Sequence, residues 1–129
     1  MTSIARNIFL VLAALNGLIA FALGIAVLVN PQSVFEAFGI PYTSALDSIV
    51  ITTGGLFILV GVLQVIAIVW TLQGKVEGII VISCYAVFLF MLGVVDFVRL
   101  GQTDILLVDS IRGFLTMVAG VFAYRELKK

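Results

Sequence analysis

The sequence predicts an all-α integral membrane protein: an antiparallel bundle of four transmembrane helices with a short interfacial helix between spans 1 and 2. Hydrophobic residues make up 63% of the 129 residues and charged residues 11%, whereas soluble domains are about 25% charged. The sequence also contains four long apolar segments. Each can cross a hydrocarbon core of about 30 Å at about 1.5 Å per residue. Once these spans are subtracted, too little chain remains for a soluble core.

The predicted spans belong to a single domain, 1–129, and cover about residues 8–29, 45–72, 78–98 and 105–124. Ile8 to Val29 carries no charge and is long enough for one span. A signal peptide is the alternative, because Ala20-Phe21-Ala22 has the small-x-small form of a cleavage site. The apolar run exceeds the usual length of a signal peptide's apolar region, so a retained span is predicted.

A short helix is predicted in the connection between the first two spans. Asn30 is a favourable N-cap, Pro31 suits the first helical position and Gly39 suits the position after the last turn. The helix should cover residues 31–38. Its apolar residues share one face, which favours an interfacial position: Val34, Phe35 and Phe38.

The second span is predicted to begin at a capping box. Asp47 follows Ser44 by three residues, which is the spacing of that motif. The helix then continues to about Leu72, and Gly74 follows it. The turn from Lys75 to Glu77 is so short that the next helix must run antiparallel.

The basic residues predict the orientation in a bacterial inner (cytoplasmic) membrane. Five of them fall on one side of the predicted bundle: Arg6, Lys75, Arg125, Lys128 and Lys129. Arg99 alone lies in a loop on the other side. Because cytoplasmic loops are enriched in Lys and Arg, both termini are predicted to be cytoplasmic.

Charged residues form a candidate cluster near the outer boundary of the third and fourth spans. Asp96 and Arg99 are three residues apart, and so are Asp109 and Arg112, so each pair shares a helix face. The predicted cluster comprises Asp47, Asp96, Arg99, Asp104, Asp109 and Arg112. A charge at mid-bilayer costs about 2.5 to 3.5 kcal/mol on insertion scales, so such residues mark candidate sites. Two interpretations stay open, a purely structural ion pair and a site for a ligand, an ion or a partner chain.

Two further patterns concern helix packing. A polar layer is predicted from Asn16, Gln64 and Thr116 at one depth, with Tyr85 slightly closer to the cytoplasmic boundary. Its members are interpreted as interhelical hydrogen-bonding groups, with a small-molecule or quinone-like contact as the alternative. Glycines seven residues apart should form close-packed seams: Gly17 and Gly24, Gly54 and Gly61, Gly113 and Gly120.

The composition excludes several kinds of chemistry. The chain has no histidine, which excludes bis-histidine haem, imidazole metal ligands and a histidine general base. Its single cysteine, Cys84, excludes an intramolecular disulfide and a cysteine cluster. We therefore predict neither a cofactor nor a metal site, and no enzymatic activity. The zero net charge gives no reason to expect nucleic acid.

Several short motifs resemble a known group of proteins. They are LVNP at the end of the first span, FEAFGI in the connection, GGLFILVG in the second span and SIRG in the fourth. Together they resemble an uncharacterised bacterial family of small four-span proteins, a domain-of-unknown-function group loosely similar to DoxX-like membrane proteins. That family is expected to carry an arginine shortly before the paired glycines, and Asp47 to Thr53 contains none. The resemblance therefore implies the architecture and no activity.

Two classes of function remain. The first is a non-catalytic accessory or scaffold subunit that packs against a larger membrane complex, with the lipid bilayer and other membrane subunits, or further copies of itself, as partners. The second is a small oligomeric transporter or channel that uses the Asp and Arg cluster. Small multidrug-resistance transporters are similar in size, but they use an acidic residue in the first span, where this chain has only Asn16.

Overall fold

The computed structural model describes residues 3–101 and 103–129, with all their side chains except those of residues 100 and 104–106. These residues form five α-helices and one 3-10 turn, and no strand occurs among them. The elements are α1 (Ile4–Val29), α2 (Pro31–Ala37), the 3-10 turn (Ser44–Leu46), α3 (Asp47–Leu72), α4 (Val76–Leu100) and α5 (Asp104–Leu127). The predicted all-α fold class is confirmed.

Four of the helices, α1, α3, α4 and α5, are long and apolar enough to cross a membrane. They extend beyond the predicted spans by a few residues at several ends, because polar residues at the boundaries continue the helices. Length and composition thus indicate a multi-pass membrane protein.

The predicted short helix α2 is present between α1 and α3. The Asn30 side-chain oxygen accepts a hydrogen bond from the Ser33 backbone N–H at 3.2 Å, as an N-cap should. Phe38 is the C-cap, so the helix ends at Ala37, one residue before the predicted end. Gly39 follows with φ of 72°, a left-handed conformation that glycine adopts without steric penalty.

The predicted capping box at Ser44 is wrong. Ser44 opens the 3-10 turn, whose N-cap Thr43 makes no side-chain capping hydrogen bond. The Asp47 carboxylate instead accepts a hydrogen bond from the Tyr42 hydroxyl. The Tyr42 ring also packs edge-on against Phe35, with ring centroids 5.9 Å apart. The Asp47 carboxylate, which a capping box would use to accept from backbone N–H, therefore accepts from the Tyr42 hydroxyl.

The chain divides into two compact units, which we describe separately. The smaller unit, Asn16–Leu63, contains the end of α1, then α2, and the start of α3. Its two long helix segments approach closely at glycines. A Cβ atom at Gly24 would lie 2.8 Å from the Gly54 carbonyl oxygen, and one at Gly61 would lie 3.2 Å from the Gly17 carbonyl oxygen. Backbone therefore packs on backbone along this pair.

The larger unit comprises Met1–Leu15 and Gln64–Lys129, and segments of α1, α3, α4 and α5 pack together in it. Their shared core is Phe9, Ala13, Ala67, Ile79, Ile82, Ala119 and Ala123. Alanine dominates this core because lipid is as apolar as leucine, so helices associate through close approach of small residues.

The antiparallel helices α4 and α5 approach each other closely at Gly113, which faces backbone atoms of α4. A Cβ atom at Gly113 would lie 2.5 Å from the Ala86 carbonyl oxygen and 2.7 Å from the Phe90 nitrogen. Both contacts are to backbone atoms, which cannot move aside as a flexible side chain can. This close approach positions the polar residues described next.

Candidate functional site

The candidate site lies beside the close approach of α4 and α5, within the larger unit. Ser110, one turn before Gly113, donates a hydrogen bond from its hydroxyl to the Phe90 carbonyl oxygen at 3.3 Å. The Phe90 and Phe114 rings pack with centroids 6.4 Å apart. One polar and one aromatic contact thus join the two helices at this level.

An ion pair on α5 forms the centre of the site. Arg112 donates from Nη2 to Oδ1 of Asp109, and the two residues are one helical turn apart, as the sequence spacing predicts. Their side chains are only 14% exposed for Arg112 and 20% for Asp109. This is the one ion pair within 4.0 Å among the residues that the structure describes.

The rest of the Arg112 guanidinium group finds no hydrogen-bond acceptor in the part of the chain that the structure describes. Its Nε and Nη1 atoms are buried and have no partner among the described residues. An arginine side chain carries five N–H donors, of which one lies on Nε and two on Nη1. Leaving a buried donor unsatisfied costs about 1 to 3 kcal/mol, and more for a charged group. Two of the three guanidinium nitrogens are therefore unsatisfied in the described structure.

Tyr85 brings a third polar group from α4. It is partly buried, and the charges of Arg112 and Asp109 both act on it. Its ring stacks against Phe88 with centroids 6.2 Å apart. Because a tyrosine hydroxyl both donates and accepts, the site combines an anion, a cation and an amphoteric group from two helices.

Thr116 fixes the backbone next to the ion pair. Its hydroxyl donates to the Arg112 carbonyl oxygen at 2.7 Å, and its side chain is fully buried. A bond of this kind from a threonine to the carbonyl one turn earlier occupies a backbone acceptor and can bend a helix. Thr116 thus supports the part of α5 that presents Arg112.

The other members of the predicted charge cluster do not join this ion pair. Asp96 is partly buried, while Arg99 is exposed in the last turn of α4, where a cation interacts favourably with the helix dipole. No ion pair joins these two side chains, although their spacing matches that of Asp109 and Arg112. The Asp104 side chain lies outside the described residues.

Asp47 belongs to the smaller unit, where its partner is Tyr42. The hydrogen bond to the Asp47 carboxylate raises the pKa of Tyr42 above its ordinary value of 10.0, and desolvation and the negative charge of Asp47 raise it further. At neutral pH the phenol is therefore protonated and serves as the donor.

Three residues of the predicted polar layer are buried, and the fourth, Tyr85, is partly buried. Asn16 and Gln64 are 2% exposed and Thr116 is fully buried. The Gln64 Oε1 atom has no hydrogen-bond partner within residues 3–101 and 103–129. Thr71, which the sequence analysis missed, is also fully buried, and its hydroxyl donates to the Ala67 carbonyl oxygen at 2.9 Å.

Ser110 is the second residue that the sequence analysis missed. A signal was present, because Ser110 precedes the seam glycine Gly113 by three residues and so shares its helix face. Cys84, the single cysteine of the chain, is free and exposed on α4.

No group of three or more His, Cys, Asp or Glu residues that could hold a metal ion occurs in the described part of the chain.

No protein-family model, no curated protein and no solved structure matches the chain. The resemblance to the DoxX-like group therefore stays a prediction, and the α4–α5 polar site carries the functional argument by itself.

Proposed function

We propose that this chain is a non-catalytic accessory or scaffold subunit of the bacterial inner membrane, with both termini cytoplasmic. It packs against a larger membrane complex through the polar site on α4 and α5. The observation that carries this proposal is the ion pair of Arg112 and Asp109 on α5, whose side chains keep 14% and 20% exposure within an apolar helix.

A neighbouring membrane helix would pack against the part of the ion pair that this chain leaves exposed. Lipid tails offer no hydrogen-bond acceptors, whereas the carbonyl, amide, hydroxyl and carboxyl groups of another helix do. Hydrogen bonds between membrane helices contribute about 0.6 to 2 kcal/mol each. Because Asp109 already balances the charge of Arg112, the incoming group can be neutral.

The position of the site in the membrane supports a contact between helices. Arg112 is eight residues from the start of α5 at Asp104, which corresponds to a depth of about 12 Å at about 1.5 Å per residue. A group at this depth reaches bulk water only by extending along the helix. A partner helix that packs against α5 would provide acceptors without that extension.

The decisive experiment compares a variant that lacks the ion pair with a control variant that lacks a different, equally spaced pair of charges. Asp109→Leu with Arg112→Leu removes one acid and one base from the site. Asp96→Leu with Arg99→Leu removes the same charges at the same spacing from the end of α4. The chain is purified from its host membrane in a mild detergent, and quantitative mass spectrometry determines the stoichiometry of co-purifying membrane polypeptides.

We expect the Asp109 and Arg112 double variant to fold and to lose a stoichiometric partner that the control variant retains. Replacing a buried ion pair with apolar residues is often neutral or stabilising. Arg112→Leu alone should destabilise the chain by about 3 kcal/mol, because it leaves the Asp109 carboxylate buried without its partner. Retention of the partner by the double variant would contradict the proposal.

The charge interaction of Tyr85 with the ion pair favours a second candidate function, a small oligomeric transporter or channel. Hydroxyl, carboxylate and guanidinium groups from two helices form the kind of intramembrane site that marks ion and substrate pathways. In that case Asp109→Asn and Arg112→Gln would leave folding and co-purification intact and abolish a measurable flux in reconstituted vesicles. If these variants lose the co-purifying partner, and the wild-type chain shows no flux, the subunit function is favoured.

A further inference from the structure

A second surface of the larger unit, formed by other residues of α4 and α5, has the shape of a binding groove. The groove has a volume of about 530 Å³, within the range of about 300 to 1,000 Å³ of small-ligand sites. Its lining is almost wholly apolar and includes three small residues, Ser83, Cys84 and Gly120. It lies along the helices between the levels of Val87 and Ile79, about 12 Å at about 1.5 Å per residue.

One end of this groove is cationic. Arg125 lines the groove and is exposed. Tyr124 lines it as well, and the Lys128 ammonium group lies 4.8 Å from the centre of the Tyr124 ring. Tyrosine is typical of the boundary between hydrocarbon and headgroups. The groove therefore pairs an apolar length with two cations at the membrane surface.

We infer that this groove binds an anionic phospholipid from the leaflet that faces the C-terminal end of α5. One acyl chain lies along α4 and α5, and the phosphate group lies between Arg125 and Lys128. Both cations suit a phosphate group, since arginine donates to its oxygens through a planar fork and lysine acts as a compact positive charge. This inference is independent of the proposed subunit function, because it uses neither Asp109 nor Arg112.

Charge complementarity selects an anionic lipid over a zwitterionic one. Residues 125–129 contain three basic residues and one acid, Glu126. The choline group of a zwitterionic lipid would meet this positive charge with its own. Each basic residue near an anionic membrane surface contributes about 1 kcal/mol, which corresponds to about a fivefold change in affinity.

Native mass spectrometry of the full-length chain, delipidated and titrated with phosphatidylglycerol or phosphatidylcholine, tests this inference. We expect tighter binding of phosphatidylglycerol. Arg125→Gln and Lys128→Gln should each weaken it about fivefold, and the two together roughly 25-fold. Lys75→Gln is the matched control, because Lys75 is exposed just before α4 and outside the groove lining. It should change the affinity less than twofold.

A second pair of variants tests the groove itself. Cys84→Phe fills it, while Val94→Phe adds a similar ring at an exposed position of α4 outside the lining. We expect the first to abolish phosphatidylglycerol binding and the second to preserve it. Equal affinity for both lipids, or binding unaffected by Cys84→Phe, would overturn the inference in favour of ordinary annular lipid. A second polypeptide that excludes phosphatidylglycerol from the wild-type chain would also overturn it.

Discussion

Adding one methyl group at Gly113 tests whether the backbones of α4 and α5 meet beside the candidate site. A Cβ atom there would lie 2.5 Å from the Ala86 carbonyl oxygen, whereas ordinary van der Waals contact begins at 3.4 Å. The two helices must therefore separate locally by about 0.9 Å, which is the difference between these two distances. Gly55 is the control, because a Cβ atom there would have nothing within 4 Å.

The two substitutions should have opposite effects on stability. Glycine to alanine within a helix is favourable by about 1 kcal/mol, and Gly55→Ala should gain this amount in full. Overpacking costs about 1 to 3 kcal/mol, so Gly113→Ala should be neutral or destabilising by up to about 2 kcal/mol. The Ser110 to Phe90 hydrogen bond is already long at 3.3 Å, since O–H···O bonds rarely exceed about 3.0 Å, and it should break as the helices separate.

Reversible unfolding in mixed detergent micelles, with the mole fraction of dodecyl sulfate as denaturant, measures both variants. The free energy of unfolding of Gly113→Ala should be lower than that of Gly55→Ala by about 1 to 3 kcal/mol. Equal stabilisation by both substitutions would mean that α4 and α5 do not meet at Gly113, and the geometry of the polar site would then be wrong.

Three further predictions concern the rest of the chain. Cysteines introduced at Ser33 and Lys128 in a cysteine-free background should be labelled from opposite sides of the membrane; labelling from one side would refute four crossings. Gln64→Leu should be neutral or stabilising in the same unfolding assay, because it removes a buried oxygen that lacks a partner in the described structure; a loss above about 2 kcal/mol would reveal an acceptor role. Tyr42→Phe should remove the phenol that titrates above pH 10.0, as followed by phenolate absorbance. Because folding raises the pKa of Tyr42, the stability that its bond to Asp47 contributes should be present below pH 10.0 and fall as the pH rises through the folded-state pKa. The absence of any difference in alkaline stability between wild type and Tyr42→Phe would contradict the bond.

The sequence predicts the helices well because long apolar runs and their flanking caps are local features. It does not predict which helix faces are buried. In a soluble helix the apolar face is the buried one, but here large apolar residues such as Leu18 and Leu56 are exposed, while Ala13 and Ala67 are buried. Hydrophobicity alone therefore does not distinguish the core in lipid, where small residues such as alanine allow helices to approach closely.

The candidate site shows the same limit. Spacing places Asp109 with Arg112 and Asp96 with Arg99 on shared faces, but only the first pair forms an ion pair. The two arginines differ in burial, because the Arg112 side chain is only 14% exposed, whereas Arg99 is exposed at the end of α4. The Ser110 hydrogen bond depends on a backbone carbonyl of another helix, and such a partner has no signature in the sequence.

Site-specific photo-crosslinking beside Arg112 tests the central claim most directly. Val108 is four residues before Arg112, shares its face of α5 and is 54% exposed. Leu59 on α3 is 52% exposed and serves as control. With a benzophenone amino acid at Val108, we predict one discrete crosslink to a second membrane polypeptide, which disappears when Asp109 and Arg112 are both replaced with leucine. Crosslinks to lipid alone at Val108, as at Leu59, would contradict the proposal that the buried arginine contacts a partner subunit.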